Sequence, residues 1–309
     1  MSFAVVFPGQ GSQFAGMADA WAAHPASKTV LEEASAAIGR DLMAGCHDED
    51  ALATTEFVQP ALLACDVAAF RVLEAEGLGE PHAPIAGVAG HSLGEFAALV
   101  ASGAMDLGDA LELVVVRGTA MQRAGEDRPG TMSALLGTGT DDAQALCDEA
   151  RGTDELVVAN ENSPVQVVIS GSVAAVERAE TLAKERKIRA IRLKVAGAFH
   201  SELMRPAVEP ILEVLARVEV RAPRFPIAEN VTGALVSDAA GLRELVGVHV
   251  VSPVRWESGV RALGAAGATG FLEAGPGDVL TKLARRIVPE ATATAVGSPE
   301  AAADAIAGV

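Results

Sequence analysis

The residues with most chemical promise are Gly90-His91-Ser92-Leu93-Gly94, a G-x-S-x-G set between an apolar run at 85–89 and a helix-forming run at 96–101. A serine on such a turn is pushed clear of the backbone, and glycines two residues to either side let strand and helix approach closely. The following helix points N–H groups and the positive end of its dipole at an oxygen that becomes negative in acyl transfer. The other use of the same serine is as a glycine-flanked N-cap.

A serine nucleophile needs a base, and six histidines are available: His24, His47, His82, His91, His200 and His249. The first three sit in polar, loop-like stretches. His91 neighbours the serine, and adjacent side chains on a sharp turn point apart. His200 follows a strand and a Gly-Ala-Phe turn, a loop position that delivers catalytic groups; His249 is its rival. Arg117 falls on an apolar helical stripe with Ala110, Leu113, Val114 and Met121 at i, i+3, i+4, i+7 and i+11 spacing. An arginine there must find an anion, either a structural carboxylate or a substrate carboxylate held bidentately. Gly9-Gln10-Gly11-Ser12-Gln13 is no phosphate loop, since position 14 is Phe and no G-K-[ST] follows. Its glutamine is placed to lend an N–H to an oxyanion.

These residues need a scaffold, and the pattern of strands alternating with helices supplies a parallel sheet covered by helices. The spacing predicts strands at 4–7 and 85–89, helices at 59–76 (with Pro60 in its first turn), 96–101 and 109–124, and a late strand at 270–273 with a helix from 279. Between them, 132–136, 141–150, 156–160, 165–170, 173–186 and 190–195 read as β-α-β-β-α-β, the ferredoxin-like order. The expected fold is therefore α/β: an α/β-hydrolase-like catalytic domain of residues 1–127 and 197–309, interrupted by a ferredoxin-like small domain of residues 128–196.

The 309 residues are 50% hydrophobic, enough for a full core, and carry 24 Lys+Arg against 41 Asp+Glu, a net charge of −17. The charge is uneven: residues 1–176 hold 7 basic and 25 acidic side chains, residues 177–309 hold 17 and 16. Such a chain is a poor binder of nucleic acid or of an anionic membrane. No uncharged apolar run is long enough to span a bilayer, and the N-terminus lacks the basic region of a signal peptide. Three widely spaced cysteines, Cys46, Cys65 and Cys147, form no disulfide framework or metal pair and point to a reducing cytoplasm.

Seven segments match one pattern in order and spacing: residues 9–13, 90–95, Arg117-Gly118, Asn160-Glu161-Asn162-Ser163-Pro164, Gly197-Ala198-Phe199-His200, Ser252-Pro253-Val254-Arg255-Trp256 and Glu273-Ala274-Gly275-Pro276-Gly277. Over residues 3–290 the chain resembles the malonyl-CoA:acyl carrier protein transacylases and the related acyltransferase domains of polyketide synthases. The resemblance implies a serine acyltransferase moving a malonyl group from malonyl-CoA to the phosphopantetheine thiol of an acyl carrier protein, for fatty acid synthesis or, alternatively, for a polyketide synthase. It makes Ser92 the nucleophile, His200 the base, and Gln10 with the Leu93 N–H the oxyanion hole. Arg117 would grip the malonyl carboxylate, with Phe199, Met121 and Asn162 beside the substrate. A backbone carbonyl at His249 would orient His200; many relatives carry Gln there. Phe199 resembles the malonyl-selecting form, whereas relatives taking methylmalonyl tend to carry Ser. No cofactor or metal is implied, and the chain is expected to act as a monomer.

Carrier proteins are typically acidic, so an enzyme at −17 should repel one. Residues 178–194 carry seven basic and two acidic side chains, and Lys184, Arg186, Lys187 and Arg189 form the expected docking strip. The rivals are a thioesterase, which would need an Asp or Glu behind the histidine and has no use for Arg117, and a non-catalytic carrier-protein-binding module.

Overall fold

The computed structural model describes residues 1–308 as two sheets, each with its own helices. The six-stranded sheet has the order β10-β9-β1-β2-β7-β8, with β1 Phe3–Phe7, β2 Ile85–Gly90, β7 Ile227–Ala228, β8 Leu235–Val236, β9 Gly270–Ala274 and β10 Thr292–Val296. All its pairings are parallel except β7 with β8. Both faces of β1 are buried: Phe3, Val5 and Phe7 enter one apolar cluster, and Ala4 and Val6 the other. That is the period-two consequence of a parallel strand covered by helices on both sides.

The second sheet is antiparallel, in the order β4-β5-β3-β6, with β3 Gly130–Leu136, β4 Leu156–Ser163, β5 Gln166–Ser172 and β6 Arg189–Arg192. With the helices Thr140–Ala150 and Val173–Glu185 it forms the ferredoxin-like unit around a core of its own. Its edge strand is stitched to the large unit, where Val254 N–H donates to Ala159 O and Glu161 N–H to Val254 O, both at 2.8 Å. Met132, Ala134, Ala159 and Val168 also join the large apolar cluster, so one packed surface underlies the cleft between the units.

Two helices matter most to the site. Thr55–Ala75 begins a turn earlier than its periodicity indicates, because Thr54 caps it by accepting from the Phe57 N–H. Pro60 consequently lies inside the helix, not in its first turn. Leu107–Asp127 buries the stripe Ala110, Leu113, Val114, Arg117 and Met121. No helix of the described residues is long and apolar enough to cross a membrane.

Candidate active site

The site lies beyond the carboxyl ends of the adjacent parallel strands β1 and β2, where open α/β sheets place their ligands. Ser92 has φ +52°, and the turn closes so tightly that a Cβ on Gly90 would lie 1.8 Å from the Gly94 carbonyl carbon. A Cβ on Gly94 would lie 2.1 Å from Phe7 O. Glycine at these two positions is therefore a packing requirement of the elbow. Ser92 and His200 (φ +59°) are two of only three non-glycine residues in the left-handed region among the described residues. Such strain concentrates where geometry serves chemistry.

The Ser92 hydroxyl is 2.8 Å from His200 Nε2. His200 Nδ1 faces two carbonyl oxygens, Ser252 O at 2.9 Å and His249 O at 3.2 Å. Carbonyls only accept, so Nδ1 carries the proton and Nε2 is left to accept from the serine O–H. Among the described residues no carboxylate hydrogen-bonds to this histidine. Burial first, then the Arg117 cation and His91, push His200 down to about 3, so the resting imidazole is neutral. The resemblance pointed to the His249 carbonyl; the shorter contact is made by Ser252, the first residue of another matching segment.

Arg117 is 1% exposed and hydrogen-bonds to no carboxylate among the described residues, though the buried Glu95 is near enough to favour its charge. Its Nη1 donates to Gln59 Oε1 at 2.7 Å and its Nη2 to Ser92 Oγ at 3.1 Å; its Nε is unpartnered. Burial lowers its pKa to about 10, which leaves it charged. Gln59 is held in turn by its Nε2 contact to Met121 Sδ at 3.6 Å. Sequence reading missed Gln59, whose signal was one amide within a mostly apolar buried helical run.

The remaining residues divide clearly. Gln10, Leu93, Met121, Asn162 and Phe199 line the same cleft of about 240 Å³ as Ser92, Arg117 and His200, with the small unit closing it through Met132, Ala134 and Val168. The Gln10 and Leu93 N–H groups donate to no other group among the described residues, and Leu93 is the N-cap of the helix Gly94–Ala101. Asn162 Oδ1 lies 2.8 Å from His91 Nε2 and holds that ring, which lines the same cleft. The His249 side chain is buried with both ring nitrogens unpartnered, its centroid 5.3 Å from that of His200. His24 caps a helix and His47 pairs with Asp19, both away from the site.

The basic strip lies outside the cleft and is less free than its composition implied. Arg178 pairs with Asp154, Arg186 with Glu149 and Arg192 with Glu180. Among the described residues no group of three or more His, Cys, Asp and Glu is arranged to hold a metal ion.

A buried arginine hydrogen-bonded to no acid, touching a serine on a strained elbow, is an arrangement for an anionic acyl group. The acyl transferase domain family matches residues 4–304. The chain belongs to this family. It is 40% identical over 308 residues to the malonyl CoA-acyl carrier protein transacylase of Escherichia coli K12, covering 98% of each chain. The solved acyl-carrier-protein S-malonyltransferase of Burkholderia pseudomallei superposes with a TM-score of 0.93 at 40% identity, covering 99% of this chain and all of that one. A malonyl-transacylase solved in complex with a type II PKS acyl-carrier protein superposes at 0.94 with 38% identity over the full length of both. A family acyltransferase is thus the frame for every residue described above.

Proposed function

We propose that the chain transfers the malonyl group of malonyl-CoA to the phosphopantetheine thiol of an acyl carrier protein, in fatty acid synthesis. The observation that carries this is Arg117: a buried cation, bonded only to neutral atoms, whose guanidinium meets the nucleophile. In an apolar cleft such a cation favours an acyl group ending in a carboxylate. A thioesterase has no need of it, and a non-catalytic module has no need of a hydroxyl aligned on a neutral imidazole.

His200 Nε2 takes the Ser92 proton as Oγ bonds to the thioester carbon, and the Gln10 and Leu93 N–H groups hold the oxyanion. The carbon–sulfur bond then breaks, and His200 returns the proton to the departing CoA sulfur. The carrier-protein thiol retraces the path onto the malonyl-serine ester, so the course is ping-pong. The imidazolium formed in between is held by the Ser252 and His249 carbonyls. Side chains and backbone groups of the chain supply every step, and the proposal calls for no cofactor.

Carrier-protein docking belongs to Lys184, Lys187 and Arg189, which rim one shallow groove on the small unit. Arg186, engaged by Glu149, contributes less. We place the enzyme in the cytoplasm, in keeping with three buried free cysteines. The test is direct: incubation with malonyl-CoA should add one malonyl mass to the protein, and Ser92→Ala should abolish it. A Ser92→Ala protein still acylated on the same timescale overturns the assignment.

A further inference from the structure

The turn between β7 and β8 lies beside the elbow, since β7 pairs directly with β2, and touches it through one side chain. Asn230 is buried at 3% exposure. Its Oδ1 accepts from the Ser92 N–H at 2.8 Å, and its Nδ2 donates to Gly90 O at 2.7 Å. Its own N–H donates to Glu95 Oε2 at 3.1 Å, and its carbonyl accepts from the Arg255 N–H at 2.8 Å. The orientation of the amide is set by its partners, one a donor and the other an acceptor. The turn is itself braced, because the Glu229 carboxylate accepts from the Val231 and Thr232 N–H groups.

We propose that Asn230 is a positioning residue for the nucleophile, clamping the elbow by bridging the Gly90 carbonyl and the Ser92 N–H. The proposal rests on the reading of Ser92 as nucleophile. Ser92 occupies a left-handed conformation that an L-residue leaves unless surrounding bonds over-determine it. The two amide bonds bracket His91 and hold the peptide plane that enters Ser92, while the Glu95 N–H holds the Ser92 carbonyl on the other side at 3.2 Å; together they limit the direction in which Oγ leaves the backbone. Oγ must meet His200 Nε2 at 2.8 Å and Arg117 Nη2 at 3.1 Å together, so a small rotation of the elbow breaks both contacts. The clamp also occupies the Ser92 N–H, leaving the oxyanion to Leu93 and Gln10. Only a short amide serves: Asp lacks the donor for Gly90 O, and Ala lacks both groups.

The measurement is the single-turnover rate at which malonyl-CoA acylates the enzyme, followed by intact mass, with the dependence on malonyl-CoA concentration and the melting temperature recorded alongside. Asn230→Ala should acylate roughly 10- to 100-fold more slowly, since a misplacement of about 1 Å costs on the order of 100-fold, with half-saturation within about threefold of wild type. Asn230→Asp keeps size and acceptor and guards against a variant that fails to fold. Its carboxylate opposes Gly90 O, so it should be slow at pH 8 and recover relative to wild type as the pH falls and the protonated acid donates again. Acylation of Asn230→Asp at the wild-type rate across that range, or a loss confined to half-saturation, overturns the proposal. If wild type itself gains no malonyl mass at Ser92, the nucleophile assignment has failed instead, and the clamp falls with it.

Discussion

Replacing Arg117 by alanine tests the substrate reading most sharply. The guanidinium is 1% exposed and hydrogen-bonded only to Gln59 Oε1 and Ser92 Oγ among the described residues, so its removal breaks no carboxylate hydrogen bond, although the buried Glu95 loses a nearby cation. With malonyl-CoA bound, truncation leaves a carboxylate in a closed cleft without its cation. Breaking a buried ion pair costs ~3–5 kcal/mol, which is roughly 140- to 4,000-fold in kcat/KM at about 1.4 kcal/mol per tenfold. Acetyl-CoA presents the same thioester without the carboxylate and should lose far less. The malonyl-to-acetyl preference should therefore fall by about 100-fold or more, measured as the ratio of kcat/KM for the two thioesters with one carrier protein. A second consequence concerns pH. The Arg117 cation, after burial, helps hold His200 down at about 3, and a base acts only while neutral. Removing the cation raises the His200 pKa, so the acid limb of the kcat/KM profile should move to higher pH. Equal losses for malonyl- and acetyl-CoA, with an unmoved acid limb, would refute the assignment of Arg117 to the substrate carboxylate.

Three further outcomes are expected. Burial, followed by the neighbouring Glu229, raises the Glu95 carboxyl from 4.5 to about 8. The folded state thus holds a proton the unfolded chain releases, and stability falls as pH rises from about 4.5 to 8, by at most ~1.4 kcal/mol per pH unit. Glu95→Gln should flatten that part of the melting-temperature profile, and an identical slope in both proteins contradicts the cause given. Phe199→Ser opens the wall beside the base and should raise the methylmalonyl-to-malonyl ratio by roughly 10- to 200-fold, the worth of one methyl group in a tight pocket; a competition assay with no change in ratio removes Phe199 as the selector. Gly90→Ala forces a Cβ to within 1.8 Å of the Gly94 backbone and should lower the melting temperature and abolish acylation; wild-type values for both would show that the elbow tolerates the added carbon.

Local features were legible because local rules write them. The glycines at 90 and 94 mark a turn that only residues without a Cβ can make, and the position of Arg117 on a buried stripe follows from a 3.6-residue period. The alternation of strands and helices likewise announced a parallel sheet and a ferredoxin-like unit. The short strands β7 and β8 and the early start of the Thr55–Ala75 helix escaped, since two-residue strands have no period and a cap outweighs the apolar run behind it.

What tertiary structure alone decided was partnership. Residue types left His200 and His249 as rival bases; the fold puts His200 Nε2 on Ser92 and the His249 carbonyl on His200 Nδ1, across 108 and 49 residues of sequence. Periodicity required a partner for Arg117 without naming it, and packing supplied Gln59 and the serine in place of an acid. Asn230, 138 residues from the N–H it accepts, carried no signal at all, and Ser252 stood only as the first residue of a matching segment, with no role attached. A turn or a stripe is set by the steric properties of residues a few positions apart. A hydrogen bond between distant segments depends on how whole sheets and helices pack, and no short stretch of sequence contains that information.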